Sequence, residues 1–122
     1  MTKITEDYIN FEVAKLLKEK GFVIPLPKDW IFCMYDENGN TQWGCYHSDW
    51  YPRITLQMAM KWLREVHNIV IVVTSSMFWG KYNVSIYKKG NDYPYGFDGA
   101  TLSPSYEYAC ESAIKYCLKN LI

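Results

Sequence analysis

The run Asp36-Glu37-Asn38-Gly39-Asn40 lies between two stretches that read as strands, 30–35 and 41–46. Asn-Gly is the strongest short hairpin signal, and five residues are too few for the crossover that parallel strands need. The two strands therefore pair antiparallel. A turn closing tightly at Asn38-Gly39 sets Cys33 opposite Gly44 and Cys45 opposite Phe32. The pattern repeats downstream. Residues 69–75 form a β-branched run, apolar on both faces through Val73, which predicts an interior strand. Residues 82–87 alternate, with Tyr82, Val84 and Ile86 on one face, and Gly80 in the link 76–81 predicts a second hairpin. The stretch 90–101 reads as loop with room for a short edge strand near Tyr95 and Phe97.

Three helices surround these hairpins. Thr5 is a candidate cap, with Glu6 and Asp7 in a first turn where acids suit the helix dipole. Ile9, Val13, Leu16 and Leu17 follow at helical spacing, and Gly21 with Phe22 supplies a glycine-terminated end, giving a helix over 6–20. Thr55 opens a second helix with Leu56, Ala59, Met60, Leu63 and Val66 inward, closed by His67-Asn68. Ser103-Pro104 starts a third, which runs to about Leu121 with Tyr106, Ala109, Cys110, Ala113, Cys117 and Leu121 inward. The expected fold is α+β, an antiparallel sheet of four to five strands with three helices in the order α-β-β-α-β-β-(β)-α. A length of 122 residues and an unbroken pattern predict one domain over 1–122.

Charge and composition narrow the function. Thirteen basic residues balance thirteen acidic ones, whereas polyanion binders usually carry a basic excess. No apolar run approaches the roughly 20 residues of a membrane span. The polar, acidic start lacks the pattern of a signal peptide, so the expected location is the cytoplasm, and the four cysteines are expected as reduced thiols. Cys110 and Cys117 share a helix face as small core residues.

The segments 9–22 (INFEVAKLLKEKGF), 62–69 (WLREVHNI) and 106–115 (YEYACESAIK) together resemble a family of small uncharacterised proteins carried by gut Bacteroidales bacteria and by their phages and plasmids. The resemblance covers most of the chain in order. It implies a mobile-element accessory protein and brings no activity, ligand or catalytic residue.

Candidate chemistry is sparse. Cys33, Cys45 and His47 have metal-ligand side chains, but a fourth ligand and a Cys-x2-Cys spacing are missing, so neither a metal nor a cofactor is expected. His67, in the last turn of the second helix, reads as a residue whose ring suits the negative end of the dipole. Asp49 neighbours His47 only along the chain, and no nucleophile elbow, phosphate loop or dinucleotide fingerprint occurs. The densest feature is aromatic: Trp43, Tyr46, His47, Trp50, Tyr51 and then Arg53, residue types that dominate binding hot spots. Met77, Phe78 and Trp79 form a second cluster at the tip of the second hairpin. The expected function is non-enzymatic protein–protein contact, with a protein partner or a homodimer, through Trp50, Tyr51, Arg53, Phe78 and Trp79. A nucleic-acid-binding module is the alternative, using Lys81, Tyr87, Lys88 and Lys89, since rings beside lysines suit single-strand stacking. A small ligand-binding or hydrolase-like domain is a further alternative. Lysines gathered on one exposed face would favour nucleic acid. A pocket holding a histidine beside an acid or thiol would favour an enzyme.

Overall fold

A computed structural model describes residues 7–75, 81–89 and 105–122. Its first helix, α1 (Phe11–Glu19), starts later than the expected 6–20, because Asn10 rather than Thr5 caps it by accepting a 2.9 Å hydrogen bond from the Val13 amide. Residues 7–9 run extended instead. The Ile9 amide donates to the Ile54 carbonyl and the Leu56 amide to the Asp7 carbonyl, both at 2.9 Å. That course buries Ile9 completely. At the other end, Gly21 takes φ +95°, the Gly21 amide donates to the Lys18 carbonyl and the Phe22 amide to the Leu17 carbonyl. These two bonds satisfy carbonyls that the helix end leaves open, and Phe22 is buried beside them.

The first hairpin joins β1 (Phe32–Tyr35) to β2 (Thr41–Gly44). Its register differs by one residue from the expected one: Cys33 faces Trp43 and Phe32 faces Gly44. The reason is the Asp36 side chain. One carboxylate oxygen accepts the Asn38 and Asn40 amides and the other accepts Gln42 Nε2 at 3.0 Å. The turn thus takes three residues, with Gly39 in the left-handed region at φ +85°, in place of two. The Gln42 amide and these turn amides hold the Asp36 carboxyl below its ordinary range. A third strand, β3 (Tyr51–Pro52), pairs Tyr51 with Tyr35 in a stretch expected to be loop. Pro52 is tolerated because β3 lies at the sheet edge, in the order β2-β1-β3.

Helix α2 (Leu56–His67) is capped by Thr55 and closed by Asn68, whose φ of 57° supplies the left-handed turn. Leu56, Ala59, Met60 and Leu63 are buried as the spacing predicts, but Val66 is 55% exposed. Strands β4 (Ile69–Ser75) and β5 (Tyr82–Lys88) pair antiparallel, Ile71 opposite Ile86. They form a separate two-stranded sheet. Among the described residues β4 has no second neighbour, so it is not the interior strand its composition suggested, and Val70 and Val72 face outward. Helix α3 (Tyr106–Asn120) is capped by Ser105, with Ser103 and Pro104 outside the described residues. The stretch 90–101, with its expected edge strand, also lies outside them.

The result is an α+β fold of three helices and two antiparallel sheets in place of one continuous sheet. Helix α3 is the spine: it packs on α1, α2 and the β4–β5 sheet, while α1 lies along β3. Ala109, Cys110, Ala113, Ile114, Cys117 and Leu118 are fully buried between those partners. Small residues at 109, 110, 113 and 117 let neighbouring backbones approach α3 closely. Tyr106, expected inward, is part-exposed. No helix among the described residues is long and apolar enough to cross a membrane.

Candidate functional site

The loop between β2 and β3 is organised by one cation from α1. Lys18 Nζ donates to the Ser48 carbonyl and, at 3.0 Å, to the Trp50 carbonyl, and it lies 4.8 Å from the centre of the Tyr51 ring. Tyr51 meets Phe11 edge-on at 5.3 Å, and Phe11 meets Tyr35 at 5.9 Å. Trp50 stacks on His47 at 4.7 Å and lies against Gly44. Trp50 and Tyr51, two of the expected contact residues, are therefore half-buried and seal the junction between α1 and the first sheet. Phe78 and Trp79, with Met77, lie outside the described residues.

Arg53 is placed differently. Its guanidinium carbon lies 3.9 Å above the Tyr8 ring. Tyr8 can stand there because α1 starts at Phe11, leaving residues 7–9 to run beside 54–56. By strand alternation Arg53, Tyr51, Tyr35, Cys33 and Trp43 share one face of the sheet. Phe11 covers that face at Tyr35 and Tyr51 and leaves it open at Cys33, Trp43 and Arg53. The open part is a cleft of about 240 Å³ walled by Tyr8, Ile24, Leu26, Trp43 and Arg53. The Arg53 guanidinium also lies near the Tyr35 phenol, whose hydroxyl donates to the Ile9 carbonyl. Burial nonetheless raises the Tyr35 pKa above its ordinary value, against the pull of that guanidinium. Among the described residues Arg53 forms no ion pair.

The first sheet and the segments flanking it expose much apolar surface. Trp43 is 74% exposed, Ile31 73%, Val23 75% and Trp30 56%, with Leu26, Tyr46 and Tyr8 also open. The residues of the 22–31 connection reach this end because Phe32 enters β1 opposite Gly44. Trp30, Ile31, Leu26 and Tyr8 were not among the expected contact residues. The signal available was a connection held extended by Pro25 and Pro27 that still carries large apolar side chains, where polar residues are the rule.

The remaining candidates separate. Lys88 faces inward, its ammonium donating to the Leu121 carbonyl at 3.2 Å. Lys81 and Lys89 lie at opposite ends of β5, and Tyr87 is exposed on the outward face near Lys89. At about 3.3 Å per residue the two exposed lysines are some 26 Å apart, so they do not form one basic face. Cys45 is exposed, its thiol 3.7 Å from the Asp29 carbonyl, and it does not meet Cys33 across the hairpin. Glu37, His47 and Asp49 bring three ligand atoms within 4.8 Å of one another, all exposed. However, His47 Nδ1 accepts the Asp49 amide at 3.2 Å. A neutral imidazole so held carries its proton on Nε2, so no ring lone pair is free for a cation without rearrangement. His67 packs edge-on to Trp62 at 4.6 Å, and its buried Nε2 has no hydrogen-bond partner among the described residues. Burial first, and then the charge of Lys88, lowers its pKa, so here the environment opposes the charged ring that the helix dipole would favour. The cleft beside Trp43 holds neither histidine. Comparison with known proteins returns no matching family model, no similar curated protein and no similar solved structure.

Proposed function

We propose that this chain is a non-enzymatic protein that works by protein–protein contact, through the aromatic end of its first sheet. One observation carries the reading: Trp43, 74% exposed, stands with the open side chains of Leu26 and Tyr8 and with Arg53 on the wall of an apolar cleft, while Val23, Trp30 and Ile31 of the preceding connection are each more than half exposed. Large apolar side chains left open beside an apolar cleft are costly to leave in water and favour an interaction site. Trp43 and Arg53 on the wall of the cleft are residue types enriched where binding energy concentrates. The setting implied by the sequence resemblance, an accessory protein of phages or plasmids, belongs to the same proposal.

The test is a paired comparison. Trp43→Asp removes a side chain that is 74% exposed on an edge strand, so far-ultraviolet circular dichroism is expected to stay that of the parent and stability to fall by no more than about 1 kcal/mol. A protein recovered stoichiometrically with the tagged parent, or a self-association seen by sedimentation, is expected to disappear with Trp43→Asp. A partner retained equally by both chains would place the interface elsewhere and overturn this reading.

A further inference from the structure

Resting on that contact reading, we propose that the cleft beside Trp43 receives the C-terminal residue of a partner protein, its apolar side chain in the cleft and its α-carboxylate on Arg53. Three features lead there. The walls are mainly apolar, with Ile24, Leu26 and Trp43 presenting hydrocarbon and aromatic surface. The volume of about 240 Å³ falls below the roughly 300–1,000 Å³ of sites for drug-sized ligands, which suits one large side chain. Arg53 supplies the third feature. Its guanidinium is laid on the Tyr8 ring at 3.9 Å and has no carboxylate partner among the described residues. It also lies beside the Tyr35 phenol, which can take one of its N–H groups, and stacking leaves the remaining in-plane donors open to a carboxylate, which a guanidinium can grip with two parallel hydrogen bonds.

The size of the cleft decides which carboxylate. An extended internal segment turns successive side chains to opposite sides, and residues on the same side lie about 7 Å apart. An apolar residue and a neighbouring Asp or Glu would therefore not both fit so small a space. A chain-terminal residue carries its side chain and its carboxylate on the same Cα. In an extended peptide, that arrangement presents an apolar group and an anion together at this scale.

The experiment uses the full chain labelled with ¹⁵N and the probe acetyl-Gly-Gly-Leu as free acid, with signals of the Trp43 indole N–H and the Arg53 guanidinium followed by NMR. Saturable shifts of both are expected up to about 10 mM, tenfold above the ~1 mM dissociation constant that one anchored residue can supply. The C-terminal amide of the same peptide is expected to bind at least tenfold more weakly. Arg53→Gln is expected to bring the free acid down to the level of the amide, leaving the amide unchanged. Absence of saturable shifts, or equal binding of acid and amide, overturns the proposal. An amidated peptide with internal Leu-Asp that binds as tightly as the free acid overturns the terminal assignment. Equal affinity for 4-methylpentanoic acid overturns the partner-protein source in favour of a free apolar acid. Trp43→Asp capture reads the contact surface independently of all these arms, so failure of the carboxylate pairing and failure of the interface are distinguishable.

Discussion

At the scale of single residues, two groups are held where water or an ordinary backbone would not leave them. His67 is one. Its imidazole is pressed against Trp62 and faces Lys88, and burial with that charge lowers its pKa below the ordinary value of about 6.5. A depressed folded-state pKa means that the unfolded chain binds the proton more readily. Stability is therefore fully present above about pH 6.5 and declines as the pH falls through that value toward the folded-state pKa. Urea midpoints of the parent at pH 7.5 and 5.0 are expected to differ by more than those of His67→Gln. Equal differences would show that carboxylates alone set the acid limb. Gly39 is the second such residue. Its φ of +85° already disfavours a side chain, and an added Cβ would lie 2.8 Å from Phe11 Cδ2. Phe11 cannot retreat cheaply, because Tyr35 and Tyr51 hold its ring on two sides. Gly39→Ala is expected to lower stability by about 2 kcal/mol, read as a shifted urea midpoint at unchanged slope.

At the scale of elements, the join between α1 and the first sheet rests on Lys18. Its ammonium holds two carbonyls of the 47–50 loop and lies on the Tyr51 ring, which together fix β3 beside β1. Lys18→Met keeps the stem and deletes the donors. It is expected to cost about 1 kcal/mol and to raise amide exchange at Tyr51, whereas exchange in α3 stays as in the parent. Equal exchange at Tyr51 would mean that β3 is held by its ring contacts alone. This junction also marks where the sequence stopped being readable. The N-cap at Thr55, the glycine end at Gly21 and both hairpins were legible because their determinants lie within a few residues of one another. The start of α1 was not, since Asn10 prevails over Thr5 only when residues 7–9 have 54–56 to pair with. The hairpin register was missed for a similar reason: Asp36 reaches Gln42 and draws a third residue into the turn. Of the candidate site, Arg53 was singled out by residue type alone. The cleft was not, because Tyr8, Leu26 and Trp43 meet there only after both ends of the chain segment have closed on β1. The division of the strands into two sheets likewise depends on helices packing between them, which no local pattern encodes.

For the molecule as a whole, the placement of α3 makes its cysteines reporters of global opening. Cys110 and Cys117 are fully buried on the helix that α1, α2 and the β4–β5 sheet all pack against. Burial raises both thiols, and pushes Cys117 up to about 12. The reactive species is the thiolate, so both groups are protected twice, by lack of access and by lack of charge. Cys45 is exposed and Cys33 is partly so, on the open face of the first sheet. A native sample treated with a thiol reagent at neutral pH is expected to label Cys45 quickly and Cys33 more slowly, with Cys110 and Cys117 labelled only as fast as the core opens. All four are expected to react in denaturant, because none is in a disulfide. The rates at 110 and 117 should agree with each other and slow together under stabilising solutes, since one cooperative core guards both. If Cys117 instead reacts as fast as Cys45, α3 detaches without global unfolding, and the helix is not the spine its packing implies. Because Cys33 lies on the wall of the proposed cleft, its rate carries separate information. Occupation by a free-acid peptide is expected to slow labelling at Cys33 and leave Cys45 unchanged, which ties the site to the fold in a single measurement.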